Sequence, residues 1–236
     1  MVKKIGIDAV MDLRGLLIRK AFHIIGAILL AVPFFVEVRP PLYYAVLALV
    51  AGTFYSIQIK RPQLLLDLRQ NIFKSLEDVF NSLDKLVPVG RADLKTQYDA
   101  LLVSIEKAIE AAERDYEKRG GYLGLLMGAV GVLVAYNIFG ARSLLPAVVG
   151  LAVYDVFSAL VGMALGRRKL PGTNATVEGV LGGSAPTLAV LIAVGYKPWA
   201  ALLITAFIII AEAYGVEDNL AIPIAAAAAA YLTTII

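Results

Sequence analysis

Seven apolar runs, each near the length a helix needs to cross a bilayer, constrain this chain more than anything else in it. They cover residues 16–38, 41–59, 121–139, 143–165, 178–195, 198–215 and 219–236. A spanning helix takes about 20 mostly apolar residues, because hydrocarbon offers the backbone no outside hydrogen-bond partner. Hydrophobic residues make up 59% of the 236 and mean hydropathy is +0.76; a soluble domain is about 45–50% apolar. The expected fold is therefore all-α, a polytopic membrane helix bundle of about seven transmembrane helices. Gly124, Gly128 and Gly131 in the third run, Gly162 and Gly166 in the fourth and the alanines 225–230 in the last would let helix backbones approach closely.

Basic residues orient the bundle. With the N-terminus in the cytoplasm, nineteen of the twenty-two lysines and arginines lie inside, all but Arg39, Arg142 and Lys197, as the positive-inside rule requires. The first run carries Arg19, Lys20 and His23, exceeds the length of a signal-peptide core and lacks a small-residue cleavage pattern, so it reads as a span. Residues 61–119 are different. Apolar residues recur there at spacings of three and four, from Leu65 to Leu86 and again from Leu94 to Tyr116, with Pro88 and Gly90 between them. That pattern predicts a cytoplasmic helical hairpin with arms of about 40 Å at 1.5 Å per residue. The organisation expected is an N-terminal segment with two membrane helices (1–59), the hairpin (60–120) and a five-helix membrane region (121–236).

Composition removes several chemistries. With no cysteine there is no disulfide, thiolate metal site or cysteine nucleophile, and a single histidine, His23, excludes a histidine-rich metal site. A net charge of +3 gives no argument for nucleic acid.

What remains converges on one side of the membrane. Asp155 sits inside the fourth run, about ten residues from its inner end; a carboxylate there is costly unless paired, hydrated or metal-bound. Its plainer reading is a packing hydrogen bond with Ser158 or Tyr154. Arg167, Arg168 and Lys169 follow, and a Gly/Pro turn leads into Glu178, preceded by the capping-type residues Asn174 and Thr176. A helix N-terminus with unpaired N–H groups favours phosphate, and Gly172 and Gly179 would admit a ligand to the backbone. Glu212, Asp218 and Asn219 lie at the junction of the last two runs. Taken with Asp155 and Glu178, Glu212 and Asp218 could complete a Mg²⁺ site, since magnesium takes a few oxygen ligands with phosphate and water. Arg19 and His23 are four apart and share a helix face; arginine suits bidentate phosphate contact and histidine general-base work. No Walker A motif, kinase glycine loop or GxSxG elbow is present.

These residues resemble the motifs of the CTP-dependent lipid kinases: dolichol kinase, phytol kinase and CTP-dependent diacylglycerol kinase, distant relatives of the phosphatidate cytidylyltransferases. The matching stretches are RKAFH (Arg19–His23), YDVFSALVGMALG with Asp155, PGTNATVEG (Pro171–Gly179), and Glu212 with DNLAIP (Asp218–Pro223). They run through the membrane spans and do not clearly extend to residues 61–119. Tyr154 stands where the family has glycine, and Ala175 where it has lysine.

The resemblance implies phosphoryl transfer from CTP to a lipid alcohol, a polyprenol, a phytol-like alcohol or a diacyl or diether glycerol. Asp155, Glu178, Asp218 and Glu212 would hold Mg²⁺. Arg19, Lys20, Arg167, Arg168, Lys169, Gly172, Thr173, Asn174, Thr176, Gly179 and Asn219 would bind nucleotide and phosphate. Asp155, His23 and Glu178 would be catalytic. Partners would be CTP, the lipid alcohol and membrane lipids, with a homodimer left open. A cytidylyltransferase releasing pyrophosphate, a transporter and a membrane scaffold are the other readings.

Overall fold

In the computed structural model, residues 24–61, 71, 74–75 and 122–236 are described. Among them every regular element is helical: α1 (Ile24–Phe34), α2 (Pro40–Lys60), α3 (Leu123–Phe139), α4 (Ala141–Leu165), α5 (Val177–Ala193), α6 (Pro198–Tyr214) and α7 (Asp218–Ile235). The chain divides into two compact units. One is Met1–Arg19 with Thr53–Gly121, the other Lys20–Gly52 with Tyr122–Ile236. In the first, the described residues are the end of α2 and the helical, exposed Asn71, Lys74 and Ser75. The expected hairpin over 61–119, and Arg19, Lys20 and His23, lie outside the described residues.

Helix ends fall at Pro and Gly. Pro40 and Pro198 open α2 and α6, where a missing N–H costs nothing. Gly140 ends α3 with φ of 83°, and Gly195 follows α5 with φ of 100°, left-handed conformations natural to glycine. α2, α4 and α7 are long and apolar enough to cross a membrane, which makes this a membrane protein by the length and composition of its helices.

The second unit is organised around α4, α6 and α7. Leu151, Tyr154, Ile204, Ile208 and Ile222 are fully or almost fully buried at its centre, with Val132 and Ala135 of α3 and Leu191 of α5. Close backbone approach makes this possible. A Cβ on Gly131 would meet the Leu220 carbonyl of α7 at 3.0 Å, and one on Gly182 would run into the Val161 side chain of α4. Ala226, Ala227, Ala229 and Ala230 present the buried face of α7. α1 and α2 are joined by hydroxyls: Tyr43 and Tyr44 donate to the Leu29 and Leu30 carbonyls at 2.7 and 2.8 Å. Those carbonyls lie near the end of α1, where intrahelical donors run out.

α4 is not uniform. A 3₁₀ turn at Ala141–Ser143 leads into α-helix to Val149, then a π-helical stretch at Gly150–Asp155, then α-helix to Leu165. A π segment widens the turn and re-aims the side chains on it. Tyr154 and Asp155, its last two residues, are both buried.

Candidate active site

Asp155 is only 7% exposed, in the middle of α4. One turn on, Ser158 is buried as well, and its Oγ lies 3.3 Å from the Asp155 carbonyl and 3.4 Å from Oε1 of Glu212 on α6. Tyr154 is fully buried, and its hydroxyl has no hydrogen-bond partner among the described residues. Gly183 of α5 makes room for this cluster: a Cβ there would stand 2.9 Å from the Ser158 Cβ and 3.0 Å from the Tyr154 ring. The result is a polar cluster in which Tyr154, Asp155 and Ser158 of α4 are buried and Glu212 of α6 is half-buried, closed on one side by α5.

Nearer the end of the bundle, the α4–α5 loop folds back on itself. Lys169 and Thr176 form an isolated antiparallel bridge, Leu170 N–H donates to the Ala175 carbonyl at 2.9 Å, and Val177 N–H to the Arg168 carbonyl at 2.8 Å. Gly172 turns the loop at φ of 74°. The Glu178 carboxylate accepts from the backbone N–H groups of Arg167 and Arg168 at 3.0 and 3.3 Å. Thr176 caps α5 by accepting from Gly179 N–H at 3.1 Å. Lys169 Nζ donates to Asn174 Oδ1 at 3.2 Å, and Thr173 Oγ1 accepts from Ala175 N–H at 3.1 Å.

This changes the expected phosphate cradle. Val177 and Gly179 N–H groups at the start of α5 already have protein acceptors. Gly179 is buried against α4, where a Cβ would lie 2.8 Å from the Ser158 carbonyl and 3.1 Å from the Gly162 Cα; the glycine serves helix packing. The groups the loop leaves available are the Arg167 and Arg168 guanidinia, both on exposed residues.

The acids likewise divide. Among the described residues, no three histidines or acids come together as a group able to hold a metal ion. Asp155 and Glu212 flank the Ser158 cluster, Glu178 latches the loop, and Asp218 Oδ1 accepts from Asn219 N–H at 2.7 Å at the start of α7. Asn219 lies against α3, its Nδ2 3.4 Å from where a Gly124 Cβ would be. Magnesium is commonly held by one or two carboxylates with substrate phosphates and water, and Asp155 and Glu212, each with an oxygen near Ser158 Oγ, are the acids here whose chemistry suits it.

One contact joins the loop to the α6–α7 end. The Tyr214 hydroxyl donates to the Pro171 carbonyl at 3.3 Å. The basic loop and the end of the acid-bearing helix therefore belong to one face of the bundle. The sequence carries no signal for Tyr214; it offers Ser158 as a packing partner of Asp155, and Tyr154 both as such a partner and as a departure within the Asp155 motif. The neighbourhood of Tyr154 and Glu212 depends on which helices adjoin. Comparison with protein-family models, with curated proteins and with solved structures finds no match to this chain.

Proposed function

We propose that this protein is a seven-span membrane kinase that transfers the γ-phosphoryl group of CTP to the hydroxyl of a lipid alcohol. The observation that carries this reading is the shared face. A loop holding two exposed arginines is tied by Tyr214 to the helix that brings Glu212 to the Ser158 cluster. The motif resemblance supplies the nucleotide and the reaction class.

In this reading a bond forms between the lipid oxygen and the γ-phosphorus, the bond from that phosphorus to the β–γ bridging oxygen breaks, and CDP leaves with the bridging oxygen. The alcohol proton passes to a carboxylate or imidazole, Asp155 or His23. Such transfer depends on positioning and charge neutralisation more than on covalent help from the protein. Arg167 and Arg168 receive the triphosphate, and Glu178 fixes the loop that presents them. Asp155 and Glu212 are the pair that would hold Mg²⁺, which when bound neutralises phosphate charge. The active face is cytoplasmic and the α3–α4 and α5–α6 turns lie across the membrane.

The test is purified protein with Mg²⁺, labelled CTP or ATP, and a panel of polyprenols, phytol-like alcohols and diacyl or diether glycerols. Labelled lipid phosphate with CDP supports the reading; pyrophosphate release redirects it to a cytidylyltransferase; no transfer from either nucleotide to any lipid removes it. Because the chain has no cysteine, topology can be read separately. Single cysteines replacing Lys169 and Lys197 should label from opposite sides of a sealed vesicle, and labelling from one side would overturn the span count.

A further inference from the structure

At the end of α4 away from the basic loop, a cavity of about 640 Å³ opens between the α3–α4 turn, the α5–α6 turn and the last turns of α7. The 25 residues of α4 separate it from that loop by about 37 Å at 1.5 Å per residue, so it is no part of the proposed active site. Its volume lies within the range of ~300–1,000 Å³ typical of small-molecule sites.

Its wall is built. Phe139 and Tyr231 pack with ring centroids 5.8 Å apart. The Tyr196 hydroxyl donates to the Arg142 carbonyl at 3.1 Å and holds the two turns together. Gly140 and Gly195, both at positive φ, have nothing within 4 Å of where a Cβ would stand, so neither turn intrudes on the space. The rest of the lining is Ala141, Leu145, Val194 and Ala230 with Ser143, and exposed Thr234 stands at the rim.

Arg142 is the one charged residue in that lining. It is exposed, and its guanidinium has no hydrogen-bond or ion-pair partner among the described residues. A planar five-donor fork beside an apolar, aromatic wall suits a phosphate attached to an amphiphile. At the end of a bundle of membrane helices, the amphiphile at hand is bilayer lipid. Nearby Lys197 adds positive potential without lining the cavity.

We propose that this cavity binds an anionic glycerophospholipid of the leaflet that meets the α3–α4 and α5–α6 turns, with its phosphate on Arg142 and its glycerol and first acyl carbons against Phe139, Tyr196 and Tyr231. The proposal rests on the membrane setting and not on the kinase reading. The probe is full-length protein in detergent, titrated with phosphatidylglycerol, phosphatidylcholine or inorganic phosphate and read by native mass spectrometry and thermal unfolding. Phosphatidylglycerol should bind most tightly. Arg142→Ala should weaken it about tenfold or more, as expected for loss of a charge-assisted hydrogen bond. Thr234→Trp, which fills the rim and keeps the arginine, should weaken it too, and Lys197→Ala should change it by less than threefold. Equal binding of both lipids, unchanged binding in Arg142→Ala, or displacement by inorganic phosphate at equal affinity would each overturn the proposal. If Arg142→Ala does not fold, Arg142→Gln and Thr234→Trp decide it: binding unaltered in both overturns it, weakened in both supports it.

Discussion

α2 and α4 are both long and apolar enough to cross a bilayer, yet protein covers them very differently. In the most apolar 18-residue window, 11% of α2 is buried against 61% of α4. Leu42, Val46, Leu49 and Val50 of α2 are exposed, and only Tyr44 and Ala51 are buried. A helix apolar on all sides and uncovered by protein is suited to lipid. α4 instead carries Tyr154, Asp155 and Ser158 among its buried residues and is interrupted by a π turn. Hydropathy treats the two alike. Polar residues in the middle of an apolar run mark the one that other helices must enclose, because a carboxylate facing hydrocarbon is costly.

The sharpest way to break this contrast is to neutralise the acid that only α4 carries. Asp155→Asn should leave the helices folded and lower turnover about a hundredfold or more if the carboxylate acts on charge developing in the transition state. CDP release, with circular dichroism as the folding control, measures it, and near-normal turnover would sink the catalytic assignment.

A matched pair of glycines comes next. Gly182→Ala on α5 drives a methyl into the Val161 side chain of α4, whereas Gly52→Ala on α2 meets only the Leu126 side chain, at 3.5 and 3.9 Å. The first should destabilise by about 1–3 kcal/mol through overpacking. The second should be neutral or stabilising by up to about 1 kcal/mol, from helix propensity. Thermal unfolding in one detergent compares them, and equal shifts would mean that α4 and α5 are not packed backbone to backbone.

Glu178→Gln tests the loop at the end of α4. Losing the charge on the acceptor of Arg167 and Arg168 N–H should speed proteolysis between residues 166 and 176 and lower activity severalfold, with little change in the unfolding temperature. Unchanged cleavage would show that the latch is dispensable. The smallest effect is expected on α2. Leu49 is 70% exposed, so Leu49→Ala should shift stability by no more than about 0.5 kcal/mol. A larger loss would reveal a protein partner on that face.

Much of the secondary structure was legible. The runs 41–59, 143–165 and 198–215 lie within about two residues of Pro40–Lys60, Ala141–Leu165 and Pro198–Tyr214, because Pro and Gly punctuate helices through local sterics alone. The site was legible by residue type and less so by role. Thr176 was read as a capping residue and does cap α5, since a cap depends on neighbours three residues away. The sequence offers Glu178 as a metal ligand and Gly179 as a ligand neighbour; the structure shows Glu178 engaging Arg167 and Arg168 backbone and Gly179 packed against Ser158 and Gly162. Both outcomes depend on how the loop folds back and how near α5 approaches α4.

The sequence by itself determined that this chain is helical, apolar at membrane length, and carries acids and arginines where short loops end the helices. Those properties follow from composition, periodicity and punctuation, which are local. Only the tertiary structure decided that Glu212 reaches Ser158 and that Tyr214 ties the basic loop to the end of α6. Those contacts join residues 54 and 43 positions apart. They exist because glycines let α4 and α5 approach closely and a π turn re-aims α4, geometry that no local pattern encodes.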